Sequence, residues 1–129
     1  MARILIVEDD PPTREMLAFR LKDSGYDVVE AKDGDDGLLK AMRRPDLILL
    51  DIRLPKIDGW ELCRMLKAEP RSAHIPVIML TGCSQTIQEE YGRRCGADGY
   101  LTKPWDAKKL LPLVQELLAH HPKAHGPKR

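Results

Sequence analysis

The stretch Pro45-Asp-Leu-Ile-Leu-Leu-Asp51 places four consecutive aliphatic residues directly before an acidic one. A strand that is apolar on both faces is typical of a parallel sheet covered by helices on each side. A similar run, Ile4-Leu-Ile-Val7, comes earlier in the chain, and another, Ile75–Leu80, comes later. The three runs therefore predict buried strands of an α/β domain.

Shorter segments complete a regular alternation of strands and helices. Two further strands are predicted at Val28-Val29 and at Gly99–Leu101. Helices are predicted from a cap at Asp10 to a stop at Gly25, over Gly34–Arg44, after Gly59, over Ser84–Arg94 and after a cap at Asp106. Five strands that alternate with five helices favour a doubly wound, flavodoxin-like parallel sheet of order 2-1-3-4-5, with helices on two faces. Pro112 is expected to bend the last helix.

Composition excludes several classes of protein. A net charge of +1 disfavours direct nucleic-acid binding by this domain, and no apolar run approaches the ~20 residues of a membrane span. Three widely spaced cysteines (Cys63, Cys83 and Cys95) argue against a disulfide framework and against a zinc site. We therefore expect a cytoplasmic domain over residues 1–119, followed by a basic tail or linker stub, rich in Pro, Gly and His, over residues 120–129.

Chemically reactive side chains stand at or just beyond the ends of four predicted strands. The carboxyl ends of parallel strands meet at one edge of the sheet, and sites form there where the strand order reverses. Here that point lies between the first and third strands. The side chains gathered at this edge are Glu8, Asp9, Asp10, Asp51, Thr81 and Lys103.

This set of residue types indicates phosphoryl chemistry. Carboxylates in one crevice repel each other, and a hard divalent cation such as Mg²⁺ relieves the repulsion. Asp51 ends the most buried strand and is the candidate nucleophile, since a carboxylate can accept a phosphoryl group as an acyl phosphate. Mg²⁺ and Lys103 would neutralise the phosphoryl oxygens, and Thr81 would donate a hydrogen bond to one of them. Asp10 is interpreted instead as the cap of the first helix.

Four segments, in order, resemble the response-regulator receiver domain of two-component signal transduction. They are Ile4–Pro12, Pro45–Gly59, Ile75–Thr81 and Gly96–Pro104. The resemblance runs from about Ala2 to Ala119. It implies that Glu8, Asp9, Asp51 and the backbone carbonyl of Arg53 hold Mg²⁺. It also implies that Asp51 receives a phosphoryl group from a sensor histidine kinase or a phosphotransfer protein.

The same resemblance implies how the signal would leave the site. Thr81 and Lys103 would contact the phosphoryl group, and the Lys103–Pro104 peptide bond would be cis. Tyr100 would be an aromatic switch that turns inward as Thr81 moves. The residues themselves add that the helix over Ser84–Arg94 carries few apolar anchors and should dock weakly. This helix, the fifth strand and the fifth helix would form the responding surface. That surface would control an output protein or a fused effector domain, and could support a dimer that forms only on phosphorylation.

Two other functions compete with this interpretation. A haloacid-dehalogenase-type phosphatase also uses a nucleophilic Asp at a strand end, but it needs a second Asp two residues later, where this chain has Arg53. A receiver-like scaffold that never takes phosphate would not need the full set of acids, Thr and Lys. We therefore expect a regulator that catalyses only its own phosphorylation and dephosphorylation. The sequence leaves open the cognate kinase, the output, the oligomeric state and the lifetime of the phosphoryl group.

Overall fold

The chain folds into alternating strands and helices, described in this computed structural model over residues 2–81, 95–102 and 107–120. The strands are β1 (Arg3–Val7), β2 (Asp27–Ala31), β3 (Leu47–Asp51), β4 (Val77–Thr81) and β5 (Gly99–Thr102). The helices are α1 (Pro11–Asp23), α2 (Gly34–Ala41), α3 (Gly59–Ala68) and α4 (Ala107–Ala119).

All five strands lie parallel in one sheet of order β2-β1-β3-β4-β5, which confirms the predicted topology. β3 is central, and all five of its residues are buried. The described ranges contain four helices, not five. The helix predicted over Ser84–Arg94 and the predicted cap Asp106 lie outside the described residues.

Two apolar clusters, one on each side of the sheet, form the core. Successive residues of a strand point to opposite faces, so the buried runs supply both clusters. One cluster is formed by residues of α1 and α4 and by the strand residues Ile4, Ile6, Leu47, Leu49, Ile78, Leu80 and Leu101. The other cluster is formed by residues of α2 and α3 and by the strand residues Leu5, Val7, Ala31, Ile48, Leu50, Val77 and Met79. In the part of the chain described, no helix is long and apolar enough to cross a membrane.

Some helix details differ from the sequence pattern. In α1, Leu17, Ala18 and Leu21 are buried, whereas Phe19 is 67% exposed. α2 ends at Ala41, before the predicted end at Arg44, because the N–H groups of residues 42–44 bond three residues back and Arg44 has a left-handed φ of 59°. Pro112 lies within α4 and on its exposed side.

The loop between β3 and α3 is held very close to the end of β3. The backbone N–H of Gly59 donates to the carbonyl oxygen of Ile52 at 2.8 Å. A Cβ atom at position 59 would lie 2.2 Å from the carbonyl oxygen of Asp51 and 2.6 Å from the Cα of Ile52. Only glycine permits this approach, so Gly59 fixes where α3 starts relative to Asp51.

The same loop is tied to the start of α2. Lys56 has a φ of 73°, and the N–H of Ile57 donates to the carbonyl oxygen of Pro55 at 2.9 Å, which makes a rare γ-turn. The Lys56 ammonium lies 3.4 Å from Asp33 Oδ2, the buried N-cap of α2. A Cβ atom at Gly34 would lie 2.8 Å from Ile57. The loop after Asp51 therefore rests on the N-terminus of α2.

We predict that Gly59→Ala lowers the free energy of unfolding by about 1–3 kcal/mol, because the new Cβ would clash with backbone atoms that can move only at a cost in energy. Urea unfolding measures the effect. Gly99→Ala is the matched control, since the nearest neighbours of its Cβ would be the flexible side chains of Leu113 and Leu117, at 3.4 Å or more. Equal stability of Gly59→Ala and the wild type would show that the close approach is not rigid.

We also predict that Asp33 stabilises the fold in a pH-dependent way. The hydrogen bond from the N–H of Asp36, aided by the Lys56 ammonium and opposed by burial, holds the pKa of Asp33 below its usual range. A lowered native pKa gives stability that is present at neutral pH and is lost as the pH falls through that native pKa.

The test compares unfolding of Asp33→Ala and the wild type at pH 7 and in acid. We expect Asp33→Ala to be the less stable protein at pH 7 and the difference to shrink at low pH. Asp35→Ala is the control, because it also removes a carboxylate near Lys56, but an exposed one. The distance from Asp35 Oδ2 to Lys56 Nζ is 3.8 Å. A difference that grows on acidification would contradict the direction of the pKa shift.

Candidate functional site

Two buried carboxylates mark the carboxyl edge of the sheet. Asp51 is the last residue of β3 and is only 4% exposed, and Glu8 directly follows β1 and is fully buried. The backbone N–H of Glu8 donates to the carbonyl oxygen of Ala31 at 3.0 Å, which continues the pairing of β1 with β2. Because β1 and β3 are neighbours, the two strands deliver their acidic residues to one place.

A third carboxylate completes the cluster. One oxygen each from Glu8, Asp9 and Asp51 lies within 4.8 Å of the other two. At that separation two unit charges repel by roughly 3–4 kcal/mol in a medium with an effective dielectric constant of ~20. Asp9 is exposed, so the cluster opens to solvent on one side. The arrangement concentrates negative charge at a site that a cation can reach from the side of Asp9.

Asp10, next in the chain, has a different role. Its side chain accepts a hydrogen bond from the N–H of Thr13 at 3.1 Å and caps α1, as the sequence indicated. Its own N–H donates to Glu8 Oε2 at 3.1 Å, and Arg14 donates to the carbonyl oxygen of Glu8 at 2.8 Å. Arg14 also pairs with Glu30 on β2 at 3.2 Å. The start of α1 therefore orients Glu8.

The donor set suits a hard divalent cation. Oxygen ligands lie ~2.1 Å from Mg²⁺, so ligands on opposite sides of the ion are ~4.2 Å apart. The three carboxylate oxygens, all within 4.8 Å of one another, fit around one such ion with small side-chain adjustments. The described part of the cluster offers oxygen and no sulfur or imidazole, which favours Mg²⁺ over zinc.

The other predicted site residues fall into two groups. Thr81 ends β4 and is 2% exposed, and it lies one residue beyond Leu80, the register partner of Asp51. Tyr100 is half-buried on β5 against the cluster that packs on α2 and α3. Arg53 is exposed two residues after Asp51. The predictions for Lys103 and Pro104, including the cis peptide bond, fall outside the described residues.

The sequence interpretation missed Asp33 and Lys56, which support the loop after Asp51 from the side of α2. Asp33 precedes a predicted helix and so carried a recognisable capping signal. The positive φ of Lys56 had no such signal, because lysine does not favour that conformation.

Comparison with known proteins places these features in a family. The family model described as the response regulator receiver domain matches residues 4–115. The chain is 45% identical over 119 residues to the DNA-binding dual master transcriptional regulator RpaA of Synechocystis, covering 92% of this chain and 49% of that protein. It is 38% identical over 117 residues to the alkaline phosphatase synthesis transcriptional regulatory protein PhoP of Bacillus subtilis, covering 90% and 48%. The chain thus spans about half the length of the curated relatives it matches.

Solved structures agree with this placement. The receiver domain of the sensor histidine kinase PA1611 from Pseudomonas aeruginosa superposes with a TM-score of 0.85 at 32% identity, covering 92% of this chain and 98% of that one. That crystal structure holds a magnesium ion coordinated in its active-site cleft. The family match over residues 4–115, the sheet order and the acidic edge together lead to one conclusion: this chain belongs to the response regulator receiver domains of two-component systems.

Proposed function

We propose that this receiver domain accepts a phosphoryl group on Asp51 from a phosphohistidine of a sensor histidine kinase or phosphotransfer protein. The observation that carries the proposal is the meeting of Asp51 with Glu8 and Asp9 at the open carboxyl edge of the sheet. A structural cap would not need three carboxylates within 4.8 Å of one another. A site for phosphoryl transfer needs such a charge arrangement to hold a cation.

In the proposed reaction, a carboxylate oxygen of Asp51 attacks phosphorus. The new O–P bond forms as the P–N bond of the phosphohistidine breaks, and the bonding pair leaves with the imidazole nitrogen, which takes up a proton. The product is an acyl phosphate on Asp51. Hydrolysis later returns the carboxylate and releases inorganic phosphate.

Glu8, Asp9, Asp51 and the backbone carbonyl of Arg53 would hold Mg²⁺. When bound, the ion neutralises charge on the phosphoryl oxygens and lets them approach an acidic site. Glu8 is suited to this role because the backbone of Asp10 and the start of α1 fix its position. The Gly59 contact fixes the loop that carries Arg53 in the same way.

Thr81 and Lys103 would complete the site from the neighbouring strands. Thr81 ends the strand next to Asp51 and brings a buried hydroxyl that can donate to a phosphoryl oxygen. Lys103 follows β5 directly and would add a positive charge. Phosphoryl transfer depends on such positioning and charge neutralisation more than on further covalent chemistry.

The proposed output runs through the segment 84–94, β5 and α4. Tyr100 would respond as Thr81 is drawn to the phosphoryl group, since β5 pairs with β4 and Thr102 is the register partner of Thr81. The relatives named as transcriptional regulators are about twice as long as this chain. We propose that a receiver unit of residues 1–119 controls a partner protein or fused effector through this surface, with residues 120–129 as its tail or linker.

We predict that Asp51→Asn abolishes phosphoryl incorporation from acetyl phosphate in the presence of Mg²⁺, because the amide is not a nucleophile. Phosphate-affinity gels or intact mass measure the modified fraction. Asp10→Asn is the matched control, because it makes the same chemical change on the helix cap, where asparagine is equally suitable. Incorporation at the wild-type rate in Asp51→Asn would show that another residue is the acceptor. No incorporation in the wild type would favour a scaffold that never takes phosphate.

We further predict that Thr81→Ala slows the same reaction by roughly tenfold to hundredfold, the equivalent of one hydrogen bond to a charged group. Thr102→Ala is the control, since Thr102 ends the adjacent strand in register with Thr81. Equal rates of phosphoryl incorporation in the two variants would show that Thr81 takes no part in the reaction.

A further inference from the structure

Two cysteines from distant parts of the chain meet at the buried contact between α3 and the segment that leads into β5. Cys63 lies in α3 and is fully buried, and Cys95 lies four residues before β5 and is 6% exposed. Both are free thiols and both belong to the apolar cluster on the α2 and α3 side of the sheet. The proposed phosphoryl chemistry uses neither of them.

The two residues are in direct contact. The Sγ of Cys63 lies 3.5 Å from the backbone carbonyl oxygen of Cys95. This contact joins a side chain of α3 to the backbone of the residue that carries the second thiol. The Cys63 sulfur therefore already touches Cys95, and a disulfide between the two residues requires a Cβ–Cβ separation of ~3.8 Å.

The pair is chemically asymmetric. The hydrogen bond from Cys63 lowers the pKa of Cys95 to about 7, and the nearby Lys67 ammonium also favours the Cys95 thiolate. The same interaction, together with burial, raises the pKa of Cys63, which stays a thiol. Lys67 is fixed in place, since it donates to Asp98 at 2.9 Å and to the carbonyl oxygen of Ile75 at 2.6 Å. A thiolate with slight access to solvent therefore stands beside a buried thiol.

We propose that Cys63 and Cys95 form a reversible, regulatory disulfide when the domain meets a peroxide. Cys95 is the attacking residue because it is the more exposed and the more acidic of the two. Cys63 is the resolving residue. Both cysteines in the described part of the chain are free thiols, so the pair is available for a transient, redox-sensing disulfide.

The chemistry balances in two steps. The Cys95 thiolate attacks one oxygen of hydrogen peroxide, the O–O bond breaks, and hydroxide leaves to give a sulfenic acid. The Cys63 sulfur then attacks the sulfenic sulfur, the S–O bond breaks, and the Cys63 proton leaves with the departing hydroxide as water. The hydroxide from the first step takes up the proton that Cys95 lost on becoming a thiolate, so two thiols are oxidised by two electrons in total and one peroxide is reduced to two waters.

The disulfide would join α3 covalently to the residues just before β5. Hydrogen bonds already hold the segment from Gly96 to Asp98 in position. The Asp98 carboxylate accepts from the N–H of Val77 at 2.8 Å and from the Lys67 ammonium. A covalent link at Cys95 would fix the entry to the strand that carries Tyr100. Oxidation would therefore restrain the proposed output surface without touching Asp51, an effect that rests on the proposed function, whereas the disulfide itself does not.

The test treats the wild-type domain with hydrogen peroxide, blocks remaining thiols by alkylation and maps the peptides by mass spectrometry. We expect one intramolecular Cys63–Cys95 link, reversed by dithiothreitol, that forms faster at pH 8 than at pH 6. Stable sulfinic or sulfonic acid at Cys95 with no link would overturn the proposal. So would links made only through Cys83 or only between chains.

Variants sharpen the result. In Cys83→Ser, which retains the described pair, the link should form as in the wild type. In Cys95→Ser it should be absent while Asp51 still takes phosphate from acetyl phosphate. Because the wild-type mapping needs no substitution, the proposal stays testable even if a core variant fails to fold. Failure of Asp51 labelling would affect the proposed function alone and would leave the disulfide result standing.

Discussion

The arrangement depends on the convergence of buried carboxylates at the carboxyl edge of two neighbouring parallel strands. Glu8 and Asp51 are almost completely buried within 4.8 Å of each other and of Asp9. Concentrated negative charge of this kind is costly unless a cation or protons compensate it. The surrounding elements keep these carboxylates close together despite their repulsion. The start of α1 fixes Glu8, and the close approach of Gly59 fixes the backbone of Asp51. A site built in this way suits a hard divalent cation, and the proposed phosphoryl transfer to Asp51 depends on that cation.

Rigid and adjustable parts of the site lie on different elements. The loop after Asp51 is supported on two sides, by α3 through Gly59 and by α2 through the contact of Lys56 with Asp33. β4 and β5 form the other side, and β5 is an edge strand in which only Leu101 is buried. An edge strand with few buried residues shifts more easily than a central one. The output route proposed above, towards β5 and not towards α2, is consistent with this difference.

Much of this could be predicted from the sequence. The uninterrupted apolar runs of β1, β3 and β4 determined the sheet, because strands covered on both faces leave few alternative topologies. The acids at positions 8, 9 and 51 were placed together by topology alone, and Asp10 showed its capping role. Contacts that depend on side-chain packing could not be predicted. The γ-turn at Lys56, the exposure of Phe19 and the meeting of Cys63 with Cys95 leave no periodic pattern in the chain.

Thermal unfolding of the wild type and of Asp51→Asn across a Mg²⁺ titration tests the central claim most directly. Without Mg²⁺, removing one buried charge should relieve repulsion, so Asp51→Asn should unfold at the higher temperature. Added Mg²⁺ should then raise the unfolding temperature of the wild type and narrow or reverse the gap, because a ligand that binds only the native state stabilises it. Unfolding temperatures that do not respond to Mg²⁺ up to tens of millimolar, or that rise equally in both proteins, would contradict the account.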